Sequence, residues 1–203
     1  MSTRIPSIPR DEMQPEQQEF YDHFKDTVNK NAPHPGAAER ASKTLFPVLA
    51  VLPKTGRMSV DMLASIEQEA HGLPKDAMET VCLFCTTYFK SPYVTFAHKS
   101  QAIKLGLLSL GQADTITSGA KPGDLNDSCS LAYDTARYLL EVRGSLSSDL
   151  WEKCTATFGR EGTVGLMHLV ALMFWTSMGL NLADVPAPPP PKTVNTAAST
   201  SAR

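Results

Sequence analysis

Four side chains that could do chemistry lie between residues 79 and 98 of this chain. Glu79 is followed by Cys82 and Cys85, which form a Cys-x-x-Cys pair, and His98 follows thirteen residues after Cys85. A Cys-x-x-Cys pair is typical of thiol redox centres. A carboxylate near an imidazole is typical of acid–base chemistry instead, because imidazole takes up and releases protons near neutral pH.

The position of the two cysteines argues against redox chemistry. In a reactive pair the first sulfur lies at a helix N-terminus, where free amides and the helix dipole stabilise the thiolate. Here the apolar pattern predicts a helix from Asp76 to about Phe89, so both sulfurs lie in the middle of it among apolar neighbours. We therefore expect Cys82 and Cys85 to be structural.

The elements that position these residues are predicted to be helices. Apolar residues recur at intervals of three and four, and hairpin signals are absent, which predicts an all-α fold. A short apolar segment is interrupted by Pro47 and closed by Pro53, Ser91 is expected to cap one helix, and Ser148 another that ends at Gly159. The predicted helices span residues 15–30, 60–72, 76–89, 92–105, 110–117, 125–143, 148–159 and 161–182.

Length, composition and charge restrict the class of protein. The chain has 203 residues, enough for one sizeable core, and a net charge of −2 with acidic and basic residues mixed. This balance indicates neither a nucleic-acid partner nor an acidic lipid surface. The four cysteines lie in helix-like segments and the N-terminus has no apolar signal core, which favours a cytoplasmic protein.

Two segments near the C-terminus differ from the rest of the chain. Residues 163–183 are long and apolar enough to span a membrane, but they contain His168 and Asn181 and have no basic flank on the C-terminal side. We expect a central buried helix and no membrane association. From Val185 onward prolines and small polar residues dominate, so residues 1–184 are predicted to form one domain and 185–203 an unfolded tail.

The order and spacing of these motifs resemble the carboxymuconolactone decarboxylase and alkylhydroperoxidase D (AhpD-like) superfamily. Its signature is a Glu, then a Cys-x-x-Cys or Tyr-Glu-Trp segment, then a His that continues as His-x-x-x-Ala-x-x-x-Gly-Leu. Glu79, Tyr93, His98, Ala102 and Gly106 match that pattern. The resemblance extends over nearly all of residues 1–184 and implies an AhpD-like helical domain that forms a homo-oligomer.

The chain departs from the family at the redox positions. The family's two cysteines correspond to Ser91 and Val94, and the Trp of the variant motif corresponds to Thr95. Because neither Ser91 nor Val94 can form a disulfide, the resemblance implies the scaffold without its redox centre. It implies that His98 is the general acid and base of the site and that Glu79 orients it.

The function implied is that of a cofactor-free lyase or isomerase. The substrate would be a small enolisable acid, lactone or polyketide-like compound, and the step a decarboxylation, a proton shift or a cyclisation. On an ideal helix Val94 and Thr95 share the face of His98, whereas Tyr93 points away from it and is expected to pack. The residues predicted to bind substrate are Ser91, Val94, Thr95, Cys82, His168 and Trp175.

Three alternatives remain open at the level of sequence. His98 could be a core histidine that is hydrogen-bonded to Glu79 and has no catalytic role. The chain could be a thiol-dependent hydroperoxidase that uses Cys82 and Cys85, or a non-catalytic oligomeric binding protein. No spacing of metal-ligating residues and no glycine-rich phosphate loop is present, so we expect neither a metal nor a cofactor.

Overall fold

A computed structural model describes residues 3–31, 35–142 and 144–189. In these ranges the chain forms eight α-helices and one 3-10 turn, with no β-strand, which confirms the all-α prediction. The helices are α1 (Pro15–Asn31), α2 (Ala37–Ala50), α3 (Pro53–Glu69), α4 (Lys75–Tyr88), α5 (Pro92–Lys104), α6 (Leu110–Thr117), α7 (Asp127–Glu141) and α8 (Ser148–Leu182).

Two prolines act differently from the sequence prediction. Pro47 was expected to interrupt an apolar segment, yet it lies buried inside α2. Pro53 was expected to close that segment, yet it begins α3, so the helix predicted from residue 60 starts two turns earlier. A proline fits the first turn of a helix because its missing N–H has no intrahelical partner there.

The longest helix changes direction at a glycine. Gly159 in α8 has a φ of 68° and a ψ of 177°, a backbone conformation that a residue with a Cβ rarely adopts. The predicted helix end at Gly159 and the new start at residue 161 correspond to this break. The N-cap at the beginning of α8 is Ser147, one residue before the predicted Ser148, and its hydroxyl accepts a hydrogen bond from the Leu150 amide.

Helix α4 is the centre of the larger core. Every residue from Ala77 to Thr86 is buried, and α4 packs against α5, α6, α7 and α8. Within that run Glu79 is the only residue that carries a charge. A helix that is apolar on all sides must be covered on all sides, which explains why four other helices surround it.

Helices α1, α2 and α3 pack together around a smaller aromatic core. The rings of Phe20 and Phe24 contact that of Phe46, with centroids 5.2 Å and 5.4 Å away. Helix α8 contacts α2 and α3 as well as α4 and α7, so it joins the two groups of helices. The junction between the groups is therefore lined by α1, α2 and α3 on one side and by α4, α5 and α8 on the other.

The two ends of the described chain meet at the end of α8. The Arg4 amide donates a hydrogen bond of 2.8 Å to the Ala183 carbonyl. Val185 is buried together with Tyr93, Val94 and Leu180, so the packed domain extends one residue beyond the predicted boundary at 184. Most of the predicted tail, residues 190–203, lies outside the described residues.

Helix α8 has one apolar face that the described residues cover only in part. It is also the one helix of the described ranges that is long and apolar enough to cross a membrane, and half of its most apolar window is buried inside the domain. The exposed large apolar residues of α8 after Gly159, which we call the α8 stripe, are Val164, Met167, Phe174, Trp175, Met178 and Leu182. The expected burial of this helix therefore holds for its inner face only.

Two glycines of α8 provide a matched test of this packing. A Cβ at Gly162 would lie 2.9 Å from the Phe158 Cβ and 3.0 Å from the Leu73 amide nitrogen. We expect Gly162→Ala to lower the free energy of unfolding by about 1–3 kcal/mol, as overpacking does. At Gly179 the nearest atom would lie 3.6 Å away, so Gly179→Ala should stabilise the protein by up to about 1 kcal/mol through helix propensity.

Urea unfolding curves of both variants, followed by circular dichroism, measure the two effects. Equal stabilisation by the two substitutions would contradict the close approach of α8 to the segment around Leu73.

Candidate active site

The junction between the two groups of helices encloses a cavity of about 200 Å³. Its walls are mainly apolar and come from α1, α2, α3, α4, α5 and α8. The apolar lining includes Phe24, Val28, Leu45, Leu49, Val60, Leu63, Met78, Val94, Leu172, Met173, Trp175 and Leu180. A cavity of this kind with a few convergent polar groups is the usual form of a small-molecule site.

A hydrogen-bonded chain of three side chains lies in the wall of this cavity. Nδ1 of His98 is 3.0 Å from Oε2 of Glu79, and Nε2 of Gln101 donates a 2.8 Å hydrogen bond to Oε1 of the same carboxylate. All three residues line the cavity. The Glu79 side chain is only 9% exposed and that of His98 is 17% exposed.

This arrangement sets which nitrogen of the imidazole is available for chemistry. An ionised carboxylate can only accept hydrogen bonds, so Nδ1 of His98 is the donor toward an ionised Glu79. Nε2 has no hydrogen-bond partner in the described part of the chain. A neutral His98 thus offers Nε2 as a proton acceptor, and the protonated ring offers the same atom as a donor.

Helix α5 presents these residues because of its spacing. Val94, Ala97, His98, Gln101 and Leu105 recur at three or four residues and form one lining stripe. Each residue turns the helix by about 100°, so Gln101 and Thr95 flank His98 on opposite sides. The cavity lies on the Gln101 side.

Two of the predicted substrate-binding residues consequently do not line the cavity. Thr95 lies on the opposite flank of α5 and is absent from the lining. Ser91 occupies the N-cap position of α5, as predicted, and is buried, but its hydroxyl makes no capping hydrogen bond and has no partner among the described residues. Val94, Cys82 and Trp175 do line the cavity, as predicted.

The prediction that His168 faces the same cavity is wrong. Helix α8 reaches the cavity only from Leu169 onward. His168 is exposed, and it lies with Met62 and Glu69 of α3 along an open groove on the outside of the domain. At His168, α8 has already extended past the end of the cavity.

Sequence reasoning missed several polar residues of the cavity, among them Gln101, Glu67 and Asn31, and it did not predict that Tyr93 is part of the wall. Gln101 lies three residues after His98, a spacing that could have identified it as a neighbour of Glu79. Glu67 and Asn31 belong to other helices, and no local signal connects them to the site. Tyr93 packs with Val94 and Leu180 as expected, but its ring also forms part of the cavity wall.

Asn31 and Glu67 are polar groups of the cavity that lack hydrogen-bond partners. The amide nitrogen of Asn31 is buried without one among the described residues. The carboxyl group of Glu67 makes no hydrogen bond there either, and burial, together with repulsion from Glu79, raises its pKa. Buried polar groups are nearly always paired, so the buried Asn31 amide is suited to contact a bound molecule. The half-buried Glu67 carboxyl group lines the same cavity and can contact that molecule too.

The cysteines are in the form expected of structural residues. All four are free and buried. Burial, with added repulsion from Glu79, raises the pKa of Cys82 well above its usual range, and burial raises that of Cys85 to about 12. Neither sulfur is therefore a thiolate at neutral pH.

No group of three or more potential metal ligands occurs among the residues that the structure describes. A scan of the chain against protein-family models gives no match, and a search of curated protein sequences gives none either.

The buried thiols lead to a direct prediction. Because a raised pKa keeps a thiol protonated at higher pH, the native protein should react with a thiol-specific disulfide reagent far more slowly than a free thiol does at neutral pH. All four cysteines should react at once after unfolding in guanidinium. A fast-reacting cysteine in the native protein would contradict this assignment and favour the hydroperoxidase alternative.

Proposed function

We propose that the chain is a cofactor-free lyase or isomerase that uses His98 as its general acid and base. The substrate is a small, partly apolar, enolisable acid or lactone. The reaction is a decarboxylation, a proton-shift rearrangement or a cyclisation that proceeds through such a shift. Glu79 positions the imidazole, and the apolar walls hold the body of the substrate.

The observation that carries this proposal is the hydrogen-bonded chain from Gln101 through Glu79 to His98. It leaves one imidazole nitrogen without a partner, at the wall of a mainly apolar cavity. A histidine that only fills a core has no need of an adjoining cavity or of an unpaired nitrogen. A general acid and base needs both.

A decarboxylation and an isomerisation can each be balanced with the substrate, His98 and water alone. In a decarboxylation the bond between the α-carbon and the carboxylate breaks, CO₂ leaves, and the electron pair forms an enolate. The protonated His98 then gives the Nε2 proton to the α-carbon and regains a proton from water. In an isomerisation the neutral Nε2 takes a proton from one carbon, and the imidazolium returns it to another.

The motif resemblance supports the same proposal. In that resemblance Glu79 and His98 correspond to the acid–base pair of the AhpD-like superfamily, and Ser91 and Val94 correspond to its two cysteines. The redox alternative has one observation in its favour, since Cys82 lines the cavity. The raised pKa of that thiol argues against it, and so does the mid-helix position of both sulfurs.

Deuterium incorporation from heavy water into benzoylacetate, an apolar β-keto acid, measures proton transfer to carbon, and release of acetophenone measures decarboxylation. We expect His98→Gln to lower either rate by about a hundred- to ten-thousandfold and Glu79→Gln to lower it less, because Glu79 acts through His98. The exposed His71 provides the matched control, and His71→Gln should leave the rate unchanged.

A panel of other β-keto acids and of enolisable lactones extends the assay if benzoylacetate is a poor substrate. Melting temperatures of the same preparations separate a catalytic from a structural role. Loss of stability in His98→Gln at an unchanged rate per folded molecule would assign His98 to the core. The absence of exchange and decarboxylation across the whole panel would refute the proposal.

We further propose that the protein is a cytoplasmic homo-oligomer. The α8 stripe supports this because exposed apolar surface of this extent commonly marks an interface. Met167 and Met178 on the stripe are 42% and 51% exposed. The combined change of both to Glu should yield monomers, because it would bury a charge in an interface.

Light scattering coupled to gel filtration measures the mass of each variant. Met58, which is 72% exposed on α3, provides the control, and Met58→Glu should leave the mass unchanged. A monomeric wild-type protein would contradict the proposed oligomer.

A further inference from the structure

A second carboxyl group, that of Glu67, lies in the same cavity as Glu79. It belongs to the last turns of α3, while Glu79 and His98 come from α4 and α5. Unlike Glu79, it makes no hydrogen bond with any described residue. The two carboxyl groups therefore have different environments, one fully paired and one without a partner.

Few charged groups line the cavity, so the protonation state of Glu67 changes the net charge of the lining. The lining contains two acidic side chains, Glu67 and Glu79, one ammonium group, that of Lys75, and the imidazole of His98. With both carboxyl groups ionised and His98 neutral, the lining carries a net negative charge. With Glu67 protonated, the charges of Glu79 and Lys75 balance, and a protonated His98 adds a positive one.

The surroundings of Glu67 favour its protonated form. Burial is the main cause that raises its pKa, and Glu79 adds to the shift, while Lys75 and His98 oppose it. Where two carboxyl groups of one site have environments this different, they can take different roles. Glu79 is suited to remain an acceptor and Glu67 to act as a donor.

We propose that Glu67 is a substrate-binding residue whose carboxyl group donates a hydrogen bond to an anionic group of a ligand held in this cavity. The inference rests on the proposed function, because the ligand is the acid substrate of that site. The unpaired amide nitrogen of Asn31 provides a further donor in the same cavity. Glu67 thus determines whether the cavity accepts an anion.

The sign of the pH dependence follows from this role. An anion binds to the form of the protein in which Glu67 carries its proton, so binding takes up a proton above the titration midpoint of Glu67. Affinity for an anion is then constant well below that midpoint and falls by up to about tenfold for each pH unit above it. Loss of a positive charge on His98 would also weaken anion binding, so a Glu67 variant is needed to separate the contribution of Glu67 from that of His98.

Calorimetric titration with benzenesulfonate, whose own charge does not change near neutral pH, tests the proposal without turnover. The titration midpoint of Glu67 is first measured by ¹³C NMR. The carboxyl signal of Glu67 is identified as the one that disappears in Glu67→Gln, and its chemical shift is followed as a function of pH. Well above that midpoint, Glu67→Gln should bind benzenesulfonate at least about tenfold more tightly than the wild type, because it removes a nearby negative charge. Well below it, the two proteins should bind about equally.

Glu69 provides the matched control, since it is exposed on the same helix and does not line the cavity. Glu69→Gln should bind like the wild type at both pH values, and melting temperatures confirm that each variant is folded. Equal affinity of wild type and Glu67→Gln above the midpoint would overturn the proposal. So would a midpoint at the ordinary glutamate value of about 4.3, or no binding of benzenesulfonate to any variant.

These measurements are independent of the reaction. If the proton-exchange assay fails while the benzenesulfonate results hold, the cavity binds anions but the proposed chemistry is wrong. If the assay succeeds while the benzenesulfonate results fail, the chemistry stands and Glu67 has no part in binding.

Discussion

The burial of one carboxylate within α4 is the constraint on which the site depends. Glu79 is the single charged side chain in a run of buried residues, and an unpaired charge in such a position is strongly destabilising. Helix α5 resolves this by bringing an imidazole and an amide to its two oxygens. The orientation of α5 against α4, and with it the position of the lining stripe, follows from this pairing.

The same pairing explains why a cavity can exist in the middle of the domain. The polar groups of His98 and Gln101 are held at the wall and do not fill the junction, while the opposite side is built by the separate aromatic core of α1, α2 and α3. Helix α8 holds the two groups together by packing against both. The cavity is thus the space left between two cores that are each well packed.

Local patterns were sufficient to predict most of this fold and part of the site. The periodicity of α1 and α4 to α8 and the break at Gly159 follow from spacing within single helices, whereas the pairing of Glu79 with His98 was implied by the motif resemblance. Residues whose role depends on distant packing were missed. Glu67 joins the site only because α3 packs across the junction. Thr95 lies outside it because the cavity is on the other flank of α5, and His168 lies outside it because the cavity ends before that residue of α8.

The asymmetry of the cavity wall has a stereochemical consequence. The imidazole of His98 is attached to one wall, that of α5, and its Nδ1 contact with Glu79 restricts rotation of the ring. A planar enolate held in a cavity of this size would meet Nε2 from one side only. In the proposed reaction a new stereogenic carbon would therefore receive its hydrogen on a single face, and the product would be one enantiomer.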